Sequence, residues 1–441
     1  MLVLTINFFA YLIWFLRSFF KAHRKFTIYN VSVLWITIIA FMGLYSVANG
    51  QYGNIYWSNG VFYVKPYLYC FASFYLLLLP FRRWNKRVEI EQLSLLNNKK
   101  LLLLFKLLFI LYSLLASVST IVLLRALASG HSLSDLYMTY HEEGGSFLGY
   151  SNIESKINWL FTPFHDVFYW FVIVVSLLHL SKNRSHSFLC WSLIILTFGI
   201  DIINYMTRAA RGEFLYLALK LILVMLVLWP YLSSYIKRRI VKYSAYFFAF
   251  FVLYTVAVSI SRFDDSSSSE GSKNSIIRYF GEGFPNLSNQ VWDKVLRHPM
   301  GTRMAPFVAG SVIGNDVVSV ADRQEFWEYF TGIPMLNFKT IYGDFYVEFG
   351  EYGAFIAIVV LFLIFIPFFS KPMLKYYSLP IFGVYIDIII MSPLYFSYSG
   401  TGQFKKFIFC LAGTAFLYFY MYLKRGKNSK SITKKVKDGR E

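Results

Sequence analysis

Charge is scarce in this chain, and acid is scarcer than base. Only 15% of the 441 residues are charged, and 24 Asp and Glu stand against 43 Lys and Arg. A soluble domain of this length carries much more charge, so the composition excludes an ordinary soluble fold. Cysteine is nearly missing as well. Cys70, Cys190 and Cys410 each sit in an apolar run without metal or redox spacing, and read as packing residues. There is no Gly-Lys-Ser/Thr phosphate loop, which excludes an ATPase engine of that type. His-Glu-x-x-His is absent, and so is Asp-x-Asp in the outward connectors, so neither a metal nor a cofactor is expected. A soluble nucleotide-sugar transferase domain needs a Gly-rich α/β segment, and none is present. No Lys or Arg precedes the first apolar run and no small-residue cleavage site follows it, so that run reads as a membrane helix rather than a leader.

What the chain has is apolar length: 57% of residues are apolar and 20% aromatic. A helix crossing a hydrocarbon core of about 30 Å needs roughly 20 such residues. The runs are continuous rather than alternating, which excludes a β-barrel. The expected class is an all-α polytopic membrane protein with about eleven spans (10–12). They fall at Leu2–Phe20, Tyr29–Val47, Phe62–Phe81, Leu101–Leu124, Trp159–Leu180 and Phe188–Met206, then at Phe214–Tyr235, Ser244–Ile260, Ala354–Phe369, Leu379–Phe396 and Phe404–Leu423. Residues 1–260 thus form eight helices, 261–343 a large non-cytoplasmic loop, 344–423 three further helices, and 424–441 a basic tail. No internal or inverted repeat is visible, and a single membrane domain is the simplest architecture.

The net charge of +19 is distributed as the positive-inside rule expects, not as a nucleic-acid surface. Basic residues crowd alternate connectors: Arg17 to Lys25, Arg82 to Lys100, Lys182/Arg184, Lys237 to Lys242, Lys371/Lys375 and the tail. This places the N-terminus outside and the C-terminus in the cytoplasm. The run Asp264 to Ser272 is low-complexity, and the tail reads as an anchor near anionic lipid.

Four constellations are able to carry chemistry. In Thr207-Arg208-Ala209-Ala210-Arg211-Gly212, Arg208 and Arg211 share a face if the segment is helical. Guanidinium groups hold phosphate oxygens bidentately, and the alternative is a pair of arginines snorkelling to the headgroups. Arg278-Tyr279-Phe280-Gly281-Glu282-Gly283-Phe284-Pro285-Asn286 is a shaped turn with a carboxylate, Glu282, and aromatics suited to sugar rings or to packing. Arg297-His298-Pro299-Met300-Gly301-Thr302-Arg303 offers an imidazole able to act as acid or base, the alternative being a surface histidine. Finally, Asp344 and Glu348 lie four apart on one helix face at a membrane boundary, either as a base or paired with an arginine. Gly350 and Gly353 in that stretch have the spacing that lets helices approach closely. Within the spans, Asp201, Lys106, Lys220 and Asp387 are costly charges, with Lys220 and Arg208 as candidate partners of Asp201.

The Arg211-Gly212 step opening a mid-chain helix, the long non-cytoplasmic loop, and the late Gly343-Asp344-x-Tyr346-x-x-Phe349-Gly350-x-x-Gly353 resemble the Wzy-type polymerases of oligosaccharide repeat units. The resemblance covers the architecture of nearly the whole chain, and motifs only at those stretches. It implies a GT-C-like membrane glycosyltransferase of the bacterial inner membrane, acting on its outer face without a metal. Such enzymes polymerise undecaprenyl-diphosphate-linked repeat units into O-antigen or capsular polysaccharide, alongside a flippase and a chain-length regulator. The resemblance implies cations for the departing diphosphate, here Arg208 and Arg211, with Arg278, Arg297 and Arg303 as further glycan or diphosphate contacts. It also implies a base for the acceptor hydroxyl, drawn from Asp344, Glu348, Glu282 and His298 in that order. The rival expectations are an O-antigen ligase and a flippase or other transporter.

Overall fold

The structure is a computed structural model and describes residues 1–49, 61–85, 88–91, 99–128, 152–183, 185–208, 211–263, 280–306, 320–335 and 338–422. The helices among these residues are α1 (Leu2–Lys21), α2 (Ile28–Ala48), α3 (Val64–Leu78), α4 (Lys99–Ala128), α5 (Asn152–Lys182), α6 (Ser187–Thr207) and α7 (Arg211–Leu228). They continue with α8 (Ser234–Phe263), the short α9 (Gly283–Asn286), α10 (Val320–Thr331), α11 (Thr340–Phe369), α12 (Leu379–Met391) and α13 (Thr401–Tyr422). Nine of the described helices are long and apolar enough to cross a membrane: α1 to α7, α11 and α13. The chain is an all-α polytopic membrane protein.

Two expected spans differ from the continuous runs of the sequence. α8 starts at Ser234 rather than Ser244, so its first turns carry Lys237, Arg238, Arg239 and Lys242, and it is not among the nine. α12 has 13 residues, about 20 Å of helix, too short to cross alone. It stops because Pro393 has no N–H to continue the ladder. The chain then runs non-helically through Leu394, Phe396 and Tyr398, all buried. Irregular backbone at membrane depth is tolerated where protein surrounds it, as here.

The connectors sort into two ends. At the basic end, β1 (Glu89–Ile90) pairs in parallel with β2 (Met373–Leu374), tying the α3–α4 connector to the α11–α12 connector. Trp84 Nε1 donates to the Phe369 carbonyl at 2.9 Å, and the Tyr231 hydroxyl to the Val88 carbonyl. At the opposite end, Lys65 at the start of α3 meets Glu351 of α11 at 2.8 Å, and Gly400 N–H donates to the Met304 carbonyl.

The segment expected as an outward loop enters the bundle in part. Residues 281–292 are all buried, through α9 and the π-turn Leu287–Val291 that follows it. Phe284 packs on Tyr11, Tyr67 and Phe74, and the Tyr67 hydroxyl donates to its carbonyl at 3.1 Å. These aromatics pack, and Phe284 is not a platform open to sugars. α11 also begins inside: the N–H groups of Thr340 and Ile341 donate to the carbonyls of Leu394 and Ser392. The helix bends at Gly350 (φ 72°, ψ −171°), and the stretch 351–369 alone is about 28 Å, enough for the span.

Gly283 lets α9 lie against the α12–α13 connector, because a Cβ there would sit 2.6 Å from the Pro393 carbonyl oxygen. Backbone cannot yield as a side chain does. Gly283→Ala is therefore expected to lose about 1–3 kcal/mol of stability, read as a lowered Tm in detergent. Gly199→Ala, with nothing within 4 Å of its Cβ, is the control and is expected to leave Tm within a degree or two.

Candidate active site at the carboxylate–arginine cluster

Asp344 and Glu348 project from the first turns of α11, four residues apart, and both meet Arg303. Arg303 Nε lies 2.6 Å from Glu348 Oε1, and Arg303 Nη2 lies 3.5 Å from Asp344 Oδ1 and 3.3 Å from the Asp344 carbonyl. Glu348 is fully buried, and its second oxygen accepts the Gly301 N–H at 2.9 Å. Asp344 Oδ2 accepts the Phe396 N–H at 2.7 Å from the non-helical segment after α12. The local sequence explains the fit. Met300 (φ 55°) and Gly301 (φ 90°) hold left-handed backbone, which folds the 298–303 turn over α11 and aims the Gly301 N–H at the carboxylate.

His298 sits at the bend. Its Nδ1 lies 2.9 Å from the Val347 carbonyl, so that nitrogen carries the proton and donates. Nε2 is then the basic nitrogen, and among the described residues it has no hydrogen-bond partner. It faces Gly350, where a Cβ would lie 3.3 Å away. The role of Gly350 is thus to turn the helix and make room for the ring, rather than to bring helices together. Gly353 follows the same bend, its Cβ position falling 2.6 Å from the Phe349 side chain of its own helix. The Tyr346 ring packs edge-on to His298 at 5.9 Å, and its hydroxyl accepts the Asp293 N–H at 3.2 Å.

Of the expected site residues, the structure brings together Asp344, Glu348, Arg303 and His298. Glu282 lies nearby but is buried, its Oε1 accepting the Phe338 N–H at 3.4 Å. Arg297 is exposed, its guanidinium 6.0 Å above the Phe330 ring. Arg208 and Arg211 do not share a helix face: α6 ends at Thr207 with Arg208 as its C-cap, and Arg211 opens α7. The side chain of Arg211, all of Arg278, and the run Asp264 to Ser272 lie outside the described residues.

Lys339 was not singled out by the sequence, where it looks like one more loop cation. It is 1% exposed, and its Nζ donates to the carbonyls of Pro334 and Met335 at 3.0 and 3.3 Å. Burial lowers its pKa from 10.5 to about 8, opposed by the nearby carboxylates Asp344, Glu282 and Glu328 and assisted by Arg303. The unfolded chain therefore binds more protons between pH 8 and 10.5, so this group makes stability rise with pH across that window. The Tm of the native chain relative to Lys339→Met is expected to climb from pH 8 to 10.5, measured by thermal unfolding in detergent.

Comparison with protein-family models, with curated proteins and with solved structures finds no match to this chain. The site must be read on its own chemistry. Among the described residues no group of three His, Cys, Asp or Glu side chains has the geometry to hold a metal ion.

A second polar centre lies within the spans. A cavity of about 60 Å³ is lined by Asp166, Asp201, Lys220, Asp387 and Lys406, with Tyr169, Tyr205 and Tyr398 among its other walls. That is room for a few waters. Lys220, one of the two partners considered for Asp201, pairs instead with Asp387 at 2.7 Å, and the Tyr398 hydroxyl donates to Asp387 at 2.9 Å. Lys406 pairs with Asp166 at 2.8 Å, two charges the sequence reading passed over although the rule that singled out Asp387 applies to them. Lys106 is elsewhere, exposed on α4. The segment 394–399 links the two centres, since Phe396 binds Asp344 and Tyr398 binds Asp387.

Proposed function

We propose that this chain is a polysaccharide polymerase that moves a growing glycan from an undecaprenyl-diphosphate carrier onto the next lipid-linked repeat unit. The observation that carries the reading is His298: a half-buried imidazole with one ring nitrogen unengaged among the described residues, held beside buried carboxylates at the end of the bundle opposite the basic connectors. By the positive-inside rule the basic end faces the cytoplasm, so this cluster faces outward in a bacterial inner membrane. In the proposed step, Nε2 takes the proton of the acceptor hydroxyl as its oxygen attacks the anomeric carbon. The bond from that carbon to the diphosphate breaks, and the diphosphate leaves with its electron pair. Arg297 and Arg208 supply cations at that end for the leaving charge, with Arg211 and Arg278, whose side chains lie outside the described residues, as further candidates. Asp344, Glu348 and Glu282 have oxygens engaged by Arg303 or backbone N–H groups, which favours His298 as the base and makes Arg303 a positioning residue.

The test is the glycan profile of a deletion strain beside its complemented parent. Surface lipid carrying a single repeat, with the ladder lost, supports the polymerase. Long polymer stranded on its lipid carrier would make the chain a ligase. A transporter is the second reading, favoured by the charged cavity among the spans, and single units trapped on the cytoplasmic face would establish it.

A further inference from the structure

At the basic end, a groove of about 950 Å³ opens between α1, the α1–α2 corner, the 3-10 turn Leu79–Asn85 and the end of α11. Arg17, Lys21, His23, Arg82 and Arg83 line it, and among the described residues no carboxylate does. These five come from two stretches far apart in sequence, 17–23 and 82–83, so their convergence is a property of the fold and not of one basic run. None of them forms an ion pair among the described residues. Arg82 donates to the Tyr75 hydroxyl at 2.9 Å and Arg83 to the Ser370 carbonyl at 3.3 Å, both neutral acceptors that leave the positive charge in place. Apart from Ser18 and Ser370, the rest of the wall is aromatic and aliphatic, including Trp14, Tyr75, Leu79 and Ile366.

The corner itself is strained. His23 (φ 54°) and Arg24 (φ 61°) are consecutive non-glycine residues in left-handed backbone. Such strain persists where the surrounding fold imposes it, and it gathers at ligand sites. Four permanent cations side by side repel one another unless an anion sits among them. The volume falls within the range of ligand pockets. Basic pockets between helices on the cytoplasmic side are suited to phosphate headgroups, and the apolar wall suits the attached chains.

We propose that this groove is a binding site for an anionic membrane phospholipid, with its phosphate among Arg17, Arg82 and Arg83 and its acyl chains along Trp14 and Ile366. A free phosphate uses only the cations and leaves the apolar wall without a role. The site lies at the end away from His298 and does not depend on the polymerase reading.

Native mass spectrometry of the full chain, released from nanodiscs of phosphatidylethanolamine with phosphatidylglycerol or cardiolipin, tests it. The expected result is retention of the anionic lipid over phosphatidylethanolamine by about tenfold or more, lost in Arg17→Gln/Arg82→Gln. Both side chains are exposed, so the variant keeps its fold. Lys237→Gln/Lys242→Gln, at the same end but outside the groove, is expected to retain the lipid as the parent does. Equal retention of phosphatidylethanolamine by the parent, equal loss in the control, or binding of inorganic diphosphate as tight as that of lipid would each overturn the proposal.

Discussion

Arg303→Ala is expected to lower stability by about 3–5 kcal/mol and, under the polymerase reading, to stop polymer formation, because it leaves Glu348 charged, buried and without its partner. Glu348 is buried, and among the described residues its remaining side-chain hydrogen bond is one N–H, from Gly301. The turn carrying His298 is pinned to α11 through this carboxylate, so its imidazole loses its position as well. Arg303→Lys keeps the charge but not the fork that reaches Glu348 and Asp344 together. It is expected to fall between the parent and Arg303→Ala in both Tm and glycan length. Adding Glu348→Gln to Arg303→Ala removes the orphaned charge. The double variant is expected to regain much of the Tm while polymerisation stays lost, which separates folding from chemistry.

Asp387→Leu has the second large effect. It leaves Lys220 without its counter-charge among α5, α6, α7 and α12, at an expected cost of about 3–5 kcal/mol. The pair Lys220→Met/Asp387→Leu replaces both charges by apolar groups, and such replacements are often neutral or stabilising. Its Tm is expected to return near that of the parent. Under the polymerase reading the double variant still makes a ladder. Under the transporter reading the lost charges stop translocation while Tm recovers, so Tm and glycan profile together decide between the two.

Some of this was legible from the residues and some was not. The apolar runs located nine of the eleven expected spans because length and hydropathy are local properties. The Asp344/Glu348 pair was legible because a four-residue spacing on a helix is geometric, and an arginine partner was one of its two readings. That Arg303 is the partner, and that His298 seats against Gly350, depends on a turn more than forty residues upstream folding back, which no local pattern encodes. The end of α12 had a signal in Pro393, hidden inside an otherwise continuous apolar run. The burial of residues 281–292 had none: its short apolar stretch is far below span length, and the charged residues around it read as an exterior loop. Arg208 and Arg211 seemed to share a face only on the assumption of one helix, and they belong to two: α6 ends at Thr207 and α7 opens at Arg211.

The most direct test of His298 as the base is the surface glycan of the deletion strain complemented with His298→Gln, a variant that keeps size and polarity and loses the basic nitrogen. The expected result is a chain present in the membrane at parental Tm, with single repeats at the surface and no ladder. A full-length ladder from His298→Gln would contradict it, and the proposed site with it.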